Sequence, residues 1–99
     1  MKIILDDKRE LPSKGYNCVR TYEDCIVLLD VFKEICFICL DYHLEGNTGY
    51  DVLVYVRENG IQPKHINFHS DDKACRSKMV DYAKKHFPSA FITENSKVK

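Results

Sequence analysis

Four side chains suited to metal binding or proton transfer follow short runs rich in apolar residues. Asp6 and Asp7 come directly after one such run, Asp41 after a second and His69 after a third. Mg²⁺ prefers carboxylate oxygens and usually also holds a substrate phosphate. An imidazole titrates near neutral pH and can act as a general acid or base. Since parallel strands end at one edge of a sheet, the pattern predicts one polar pocket, with Mg²⁺ held by Asp6, Asp7 and Asp41.

Three further residues lie beside these positions. His43 is close to Asp41, and with His69 it could form a pair that cleaves a cyclic phosphodiester, one activating water and one protonating the leaving ribose oxygen. Arg9 could bind a phosphate with both arms of its guanidinium. Ser70 could cap a helix and donate to the same phosphate. Simpler interpretations stay open: a structural His, a solvated loop charge and a helix cap without a ligand.

The elements that would position these residues alternate between apolar runs and helical periodicity, which predicts a parallel sheet with crossover helices. We predict strands at residues 2–5, 17–20, 35–40, 65–68 and 90–92. The helices are expected after Thr21, from about Gly49 to Asn59-Gly60, and from Ser70 to about His86.

Two helices of the usual doubly wound plan are missing from this pattern. Residues 6–16 show no helical period where a first crossover helix is expected, and the chain after the last strand is polar. The fold class is therefore α/β, a five-stranded, mainly parallel sheet that lacks the first and last helices. If the remaining helices share one face, the other face is largely uncovered, and we hypothesise a homodimer through it.

The composition limits the partners and the compartment. Ninety-nine residues are enough for one domain, 1–99. Fifteen basic residues balance fifteen acidic ones, so the chain has no net positive charge that could bind a long nucleic acid. A partner would be a small nucleotide or an RNA end. No run has the length of a signal peptide or a membrane span, so we predict a cytoplasmic protein without a membrane partner. Cys36 and Cys39 form a C-x-x-C inside an apolar run. Because they point to opposite faces of a strand, they cannot readily share one metal, and we interpret them as core residues.

Four segments occur in an order that carries a family resemblance. They are Leu5-Asp6-Asp7-Lys8-Arg9 with Pro12, Leu40-Asp41, Thr48-Gly49-Tyr50-Asp51-Val52-Leu53, and Phe68-His69-Ser70. Together they resemble the cyclic-phosphate-processing receiver domain family, which is similar to a reduced response-regulator receiver. The resemblance implies a receiver-like (flavodoxin-like) sheet, action on cyclic phosphate ends of RNA or nucleotides, and a pocket of Asp6, Asp7, Arg9, Asp41, His69 and Ser70. The chain departs from the family pattern at Tyr42-His43 and at Asp72.

Two alternatives to a cyclic phosphodiesterase follow. The receiver resemblance allows Asp41 to be a phosphoacceptor, with Asp6 and Asp7 holding Mg²⁺ and Ser70 in the switch position. Receivers place a lysine just after strand five, however, and residues 92–95 contain none, with Lys97 several positions too late. The other alternative is a module that binds a cyclic nucleotide or RNA end without turning it over.

Overall fold

The chain forms a parallel sheet with helices between its later strands. The computed structural model describes residues 1–6, 15–44, 47–70 and 72–94. The elements in chain order are β1 (Lys2–Leu5), β2 (Asn17–Val19), α1 (Tyr22–Val31), β3 (Phe37–Leu40), α2 (Gly49–Glu58), β4 (His65–Phe68), α3 (Lys73–His86) and β5 (Phe91–Glu94). The five strands of the described chain lie in the order β2-β1-β3-β4-β5, and all neighbours are parallel. The predicted fold class is confirmed.

The hydrophobic core lies on one face of this sheet, between the strands and the three described helices. Alternate strand residues supply its sheet side, and an apolar stripe of each helix covers them. Its fully or almost fully buried members include Ile3, Leu5, Ile38, Leu40, Ile66 and Phe68 from the strands and Cys25, Leu29, Val52, Leu53, Val56, Met79, Val80 and Ala83 from the helices. No helix in the described part of the chain is long and apolar enough to cross a membrane.

Side-chain caps set the helix starts. The Thr21 hydroxyl accepts a hydrogen bond from the Asp24 amide at 3.2 Å, as the sequence predicts. At α2, Thr48 and Asp51 form a capping box in which each side chain accepts from the other residue's amide. These caps fix where the chain turns from the sheet edge into the helices.

The start of the third helix differs from the prediction. Its N-cap is Asp72, whose side chain accepts from the Cys75 amide at 3.1 Å, and not Ser70. The Ser70 hydroxyl instead accepts from the Asp72 amide at 3.3 Å, which forms a turn before the helix. Asp and Ser cap helices about equally well, so propensity could not place this boundary.

Four strand boundaries also differ from the predicted ones. β2 ends at Val19, β3 begins at Phe37, and β5 begins at Phe91 and ends at Glu94. Cys36 therefore precedes the strand and is exposed, so its assignment to the core is wrong. Cys39 is buried, as predicted.

The second face of the sheet carries a row of rings at the amino ends of the strands. The rings of Tyr16 and Phe37, Phe37 and His65, and His65 and Phe91 lie 5.9, 4.9 and 4.9 Å apart between centroids. Phe91, at the end of the row, is 65% exposed. His65 lies in the middle of this row, between Phe37 and Phe91.

The centre of the second face is buried. Ile4, Cys39 and Asn67 are at most 4% exposed. Asn67 donates to the Cys39 sulfur at 3.4 Å and accepts from the Thr93 hydroxyl at 2.7 Å. The expectation that this face is largely uncovered is therefore wrong at its centre, and the exposed apolar surface is at the Phe91 end.

Gly49, the first residue of α2, permits a close backbone approach to the end of β3. A Cβ at this position would overlap the Asp41 carbonyl oxygen and would lie 3.1 Å from the Met79 sulfur. The Gly49 amide donates to the Tyr42 carbonyl at 2.8 Å. Only glycine lets the helix begin this close to Asp41.

We predict that Gly49→Ala lowers the free energy of unfolding by about 1–3 kcal/mol, the usual cost of overpacking. Helix propensity alone predicts the opposite sign, by up to about 1 kcal/mol. Urea denaturation measures the difference. The exposed Ser77→Ala in α3 is the control and should change stability by less than about 0.5 kcal/mol. A Gly49→Ala variant as stable as the native chain would show that the close approach is not needed.

Homodimerisation stays a prediction, and the Phe91 end of the second face is where we expect it. Sedimentation equilibrium should give a mass that rises with concentration, and Phe91→Lys should shift the protein to the monomer. Val31→Lys, at an exposed position of α1, is the control because it lies on the helical side. A monomer mass at all concentrations of the native chain would rule out the dimer.

Candidate functional site

The hydrogen-bond ladders of the sheet continue one residue beyond the strands, and this aligns four polar residues. The Asp6 amide donates to the last residue of β2 at 3.2 Å, and the Asp41 amide donates to the last residue of β1 at 3.1 Å. The His69 amide donates to the last residue of β3 at 2.9 Å. Arg20, Asp6, Asp41 and His69 thus follow four adjacent strands, with backbones about 4.8 Å apart. We call these four residues the carboxyl-edge row.

Two carboxylates are neighbours in the middle of this row. Asp6 is only 3% exposed, and Asp41 is half-buried. A buried carboxylate is costly unless it is hydrogen-bonded, paired with a cation or coordinated to a metal. The structure places Asp6 and Asp41 side by side, and their carboxylate oxygens are ligands of the kind that Mg²⁺ prefers. Asp7, the third predicted ligand, lies outside the described residues.

A cation that the sequence analysis did not single out lies next to Asp6. Arg20 donates from a terminal guanidinium nitrogen to the Asp6 carbonyl at 3.4 Å. Its side chain is on the exposed side of the edge and could contact a phosphate. The sequence signal was its place at the end of the second predicted strand, 17–20, but only the strand order puts it beside Asp6. Arg9, the predicted phosphate ligand, lies outside the described residues.

His69 ends the row next to Asp41. It is half-buried, and no described side chain forms a hydrogen bond with its ring. One ring nitrogen can accept a proton while the other donates one, as a general acid or base requires. The structure therefore places His69 where the sequence analysis expected it.

Ser70 is placed at the edge but is mostly enclosed. It is 1% exposed, and its carbonyl accepts from the Arg76 guanidinium at 2.6 Å. Arg76 also forms an ion pair with Glu94, the last residue of β5, at 3.2 Å. These contacts assign Ser70 to the turn that starts α3. Its side chain could contact a phosphate only by donating a hydrogen bond from the hydroxyl.

His43 lies apart from the row, on the segment between β3 and α2. It pairs with Thr48 in an isolated bridge, and its ring packs edge-on against Tyr42 at 5.0 Å. Its Nε2 is 3.4 Å from an oxygen of Asp72. The structure thus brings His43 to the start of α3.

Cys75 completes a cluster with these two residues. One ligand atom each of His43, Asp72 and Cys75 lies within 4.8 Å of the others. The Cys75 amide holds the pKa of the Asp72 carboxyl below its ordinary value, and His43 lowers it further. Burial raises the pKa of the Cys75 thiol, with Asp72 adding to the effect. The sequence analysis did not single out Cys75. The available signal was its spacing of three residues from Asp72 at the start of a helix.

Comparison with known proteins agrees with this architecture. A scan against protein families matches residues 1–85 to the Cyclic-phosphate processing Receiver domain. No curated protein and no solved structure matches the chain significantly. The match covers β1 to β4 and the three described helices up to the penultimate residue of α3, and it leaves out β5. The chain therefore belongs to the cyclic-phosphate processing receiver domain family.

Proposed function

We propose that this domain binds a small nucleotide or RNA end through its cyclic phosphate and hydrolyses one ester bond of the ring. The carboxyl-edge row is the observation that supports the proposal. It combines a cation, two carboxylates and an imidazole at the edge where open α/β sheets bind their ligands. The net charge of zero favours a short ligand over a long nucleic acid.

Asp6 and Asp41, with Asp7 of the same acidic pair, are the residues that would hold Mg²⁺. When bound, Mg²⁺ would neutralise charge that develops on the phosphate oxygens. Arg20 would orient the phosphate from the β2 side, and Arg9 is a second candidate for this contact. A ligand would therefore lie between Arg20 and His69, above the two carboxylates.

His69 would transfer the proton in the reaction. Water attacks phosphorus, the bond from phosphorus to one ribose oxygen breaks, and that oxygen takes up a proton. His69 can remove the proton from water or give one to the ribose oxygen. A second acid or base could come from His43. Its Nε2 faces Asp72, so its ring would have to turn its other nitrogen toward the ligand.

Two other functions use the same pocket. In the first, Asp41 accepts a phosphoryl group, as in signalling receivers. Against it, residues 92–95 contain no lysine, whereas signalling receivers place one just after strand five. In the second, the pocket binds a cyclic nucleotide or RNA end without turnover, and His69 is then dispensable.

We further propose that the protein works in the cytoplasm. All five cysteines are free thiols, and this is the state that a reducing compartment maintains.

We predict that Asp41→Asn abolishes Mg²⁺-dependent opening of a 2′,3′-cyclic nucleotide, because one carboxylate ligand is lost. Chromatography of the products with and without Mg²⁺ measures this and identifies which ester bond breaks. The exposed Asp81→Asn in α3 is the matched control and should keep native activity. Ring opening that survives in Asp41→Asn would contradict the assigned site.

Replacing His69 by Ala should lower kcat by about 10²- to 10⁴-fold and leave the binding of the cyclic nucleotide almost unchanged. His86→Ala serves as the control, since His86 lies at the far end of α3. An equal loss of binding and turnover would make His69 a ligand contact. If the native chain binds the cyclic nucleotide but does not turn it over, the protein is instead a module that binds its ligand without catalysis.

The phosphoacceptor alternative predicts a different product. Incubation with acetyl phosphate and Mg²⁺ would add about 80 Da to the protein, and Asp41→Asn would lose the addition. We expect no added mass in a mass spectrum of the native chain. A covalent adduct at Asp41 would replace the hydrolytic proposal with a signalling one.

A further inference from the structure

We propose that His43, Asp72 and Cys75 form a zinc site, separate from the Mg²⁺ site proposed at the carboxyl-edge row. The three residues come from two parts of the chain: His43 precedes α2, and the other two start α3. Their side chains offer a nitrogen, an oxygen and a sulfur, and these ligand atoms lie within 4.8 Å of one another. The site does not depend on the hydrolytic function proposed above.

The distances are close to those of a metal site. Zinc binds imidazole nitrogen and carboxylate oxygen at about 2.0–2.2 Å and thiolate at about 2.3 Å, so tetrahedral ligands lie about 3.3–3.8 Å apart. The Nε2 of His43 and the Oδ2 of Asp72 are already 3.4 Å apart. No two of the three ligand atoms are more than 4.8 Å apart, so the remaining gaps must close by at most about 1–1.5 Å. The His43 side chain is exposed, which leaves room for it to rotate.

The Asp72 carboxylate has one oxygen available for a metal. Its Oδ1 accepts from the Cys75 amide as the cap of α3, while its Oδ2 faces His43. The cap thus holds the carboxylate in place and leaves the second oxygen for coordination. Because Cys75 follows three residues later, its sulfur lies on the same side of the helix start.

His43 is also held by neighbouring contacts. The ring of Tyr42 packs edge-on against the ring of His43. The bridge to Thr48 fixes the backbone of His43. Such supporting contacts orient metal ligands and raise affinity.

The ligand types select the metal. Thiolate and imidazole suit Zn²⁺ and the neighbouring transition metals, whereas Mg²⁺ takes oxygen ligands. Three protein ligands leave the fourth tetrahedral position for water or another small ligand. The side chains of His43 and Asp72 are 59% and 41% exposed, so that position can open to solvent.

Cobalt substitution tests the site on the full, reduced and metal-free chain. We expect Co²⁺ to give the visible bands of a tetrahedral complex and a sulfur-to-cobalt charge-transfer band in the near ultraviolet. One equivalent of Zn²⁺ should remove both, and excess Mg²⁺ should not. The absence of a sulfur band, or displacement by Mg²⁺, would overturn the proposal.

Three variants assign the ligands. Cys75→Ser should lose the charge-transfer band, while Cys36→Ser, an exposed cysteine at the opposite edge of the sheet, should keep it. Asp72→Asn should weaken Co²⁺ binding at least about 10-fold, a loss that even an outer partner of a ligand causes. Asn caps helices as well as Asp does, so this variant keeps the fold, and circular dichroism checks it. A band that survives in Cys75→Ser or disappears in Cys36→Ser would refute the site.

Discussion

The position of every candidate group depends on the parallel register at the carboxyl edge of the sheet. Three backbone hydrogen bonds extend the ladders past the strands and align Arg20, Asp6, Asp41 and His69. Because the pairing of the backbones can shift only by whole residues, the backbone by itself sets these four residues side by side. The helical core on one face keeps this register, since a slip would turn buried residues outward.

The helices pack closely against the carboxyl edge of the sheet at the end of β3. Gly49 lets α2 begin against the Asp41 carbonyl, and the same position lies beside Met79 of α3. The start of α2 and the middle of α3 are thereby held close to the end of β3. One consequence is that His43, two residues after Asp41, reaches the start of α3. The proposed Mg²⁺ site and the proposed zinc site therefore both depend on the short connection between β3 and α2.

The sequence predicts those parts of the site that depend on where strands end. Asp6, Asp41 and His69 were found because an apolar run followed by a polar residue marks a strand end, and parallel strands end together. Arg20 was missed because strand order follows from pairing, which no local pattern encodes. Asp72 was missed as the cap because two good caps stand two residues apart. The meeting of His43 with Cys75 depends on tertiary packing and leaves only a weak spacing signal.

We propose a single phosphate pocket at the carboxyl edge of the sheet, and amide NMR can locate the bound ligand residue by residue. A ¹⁵N-labelled sample is titrated with a 2′,3′-cyclic nucleotide in the presence of Mg²⁺. We expect the largest shifts at the amides of Arg20, Asp6, Asp41 and His69, with little change at Lys2, Phe37, His65 and Phe91 at the amino edge. Shifts concentrated at the amino edge, on the row of rings, would contradict a phosphate pocket at the carboxyl edge.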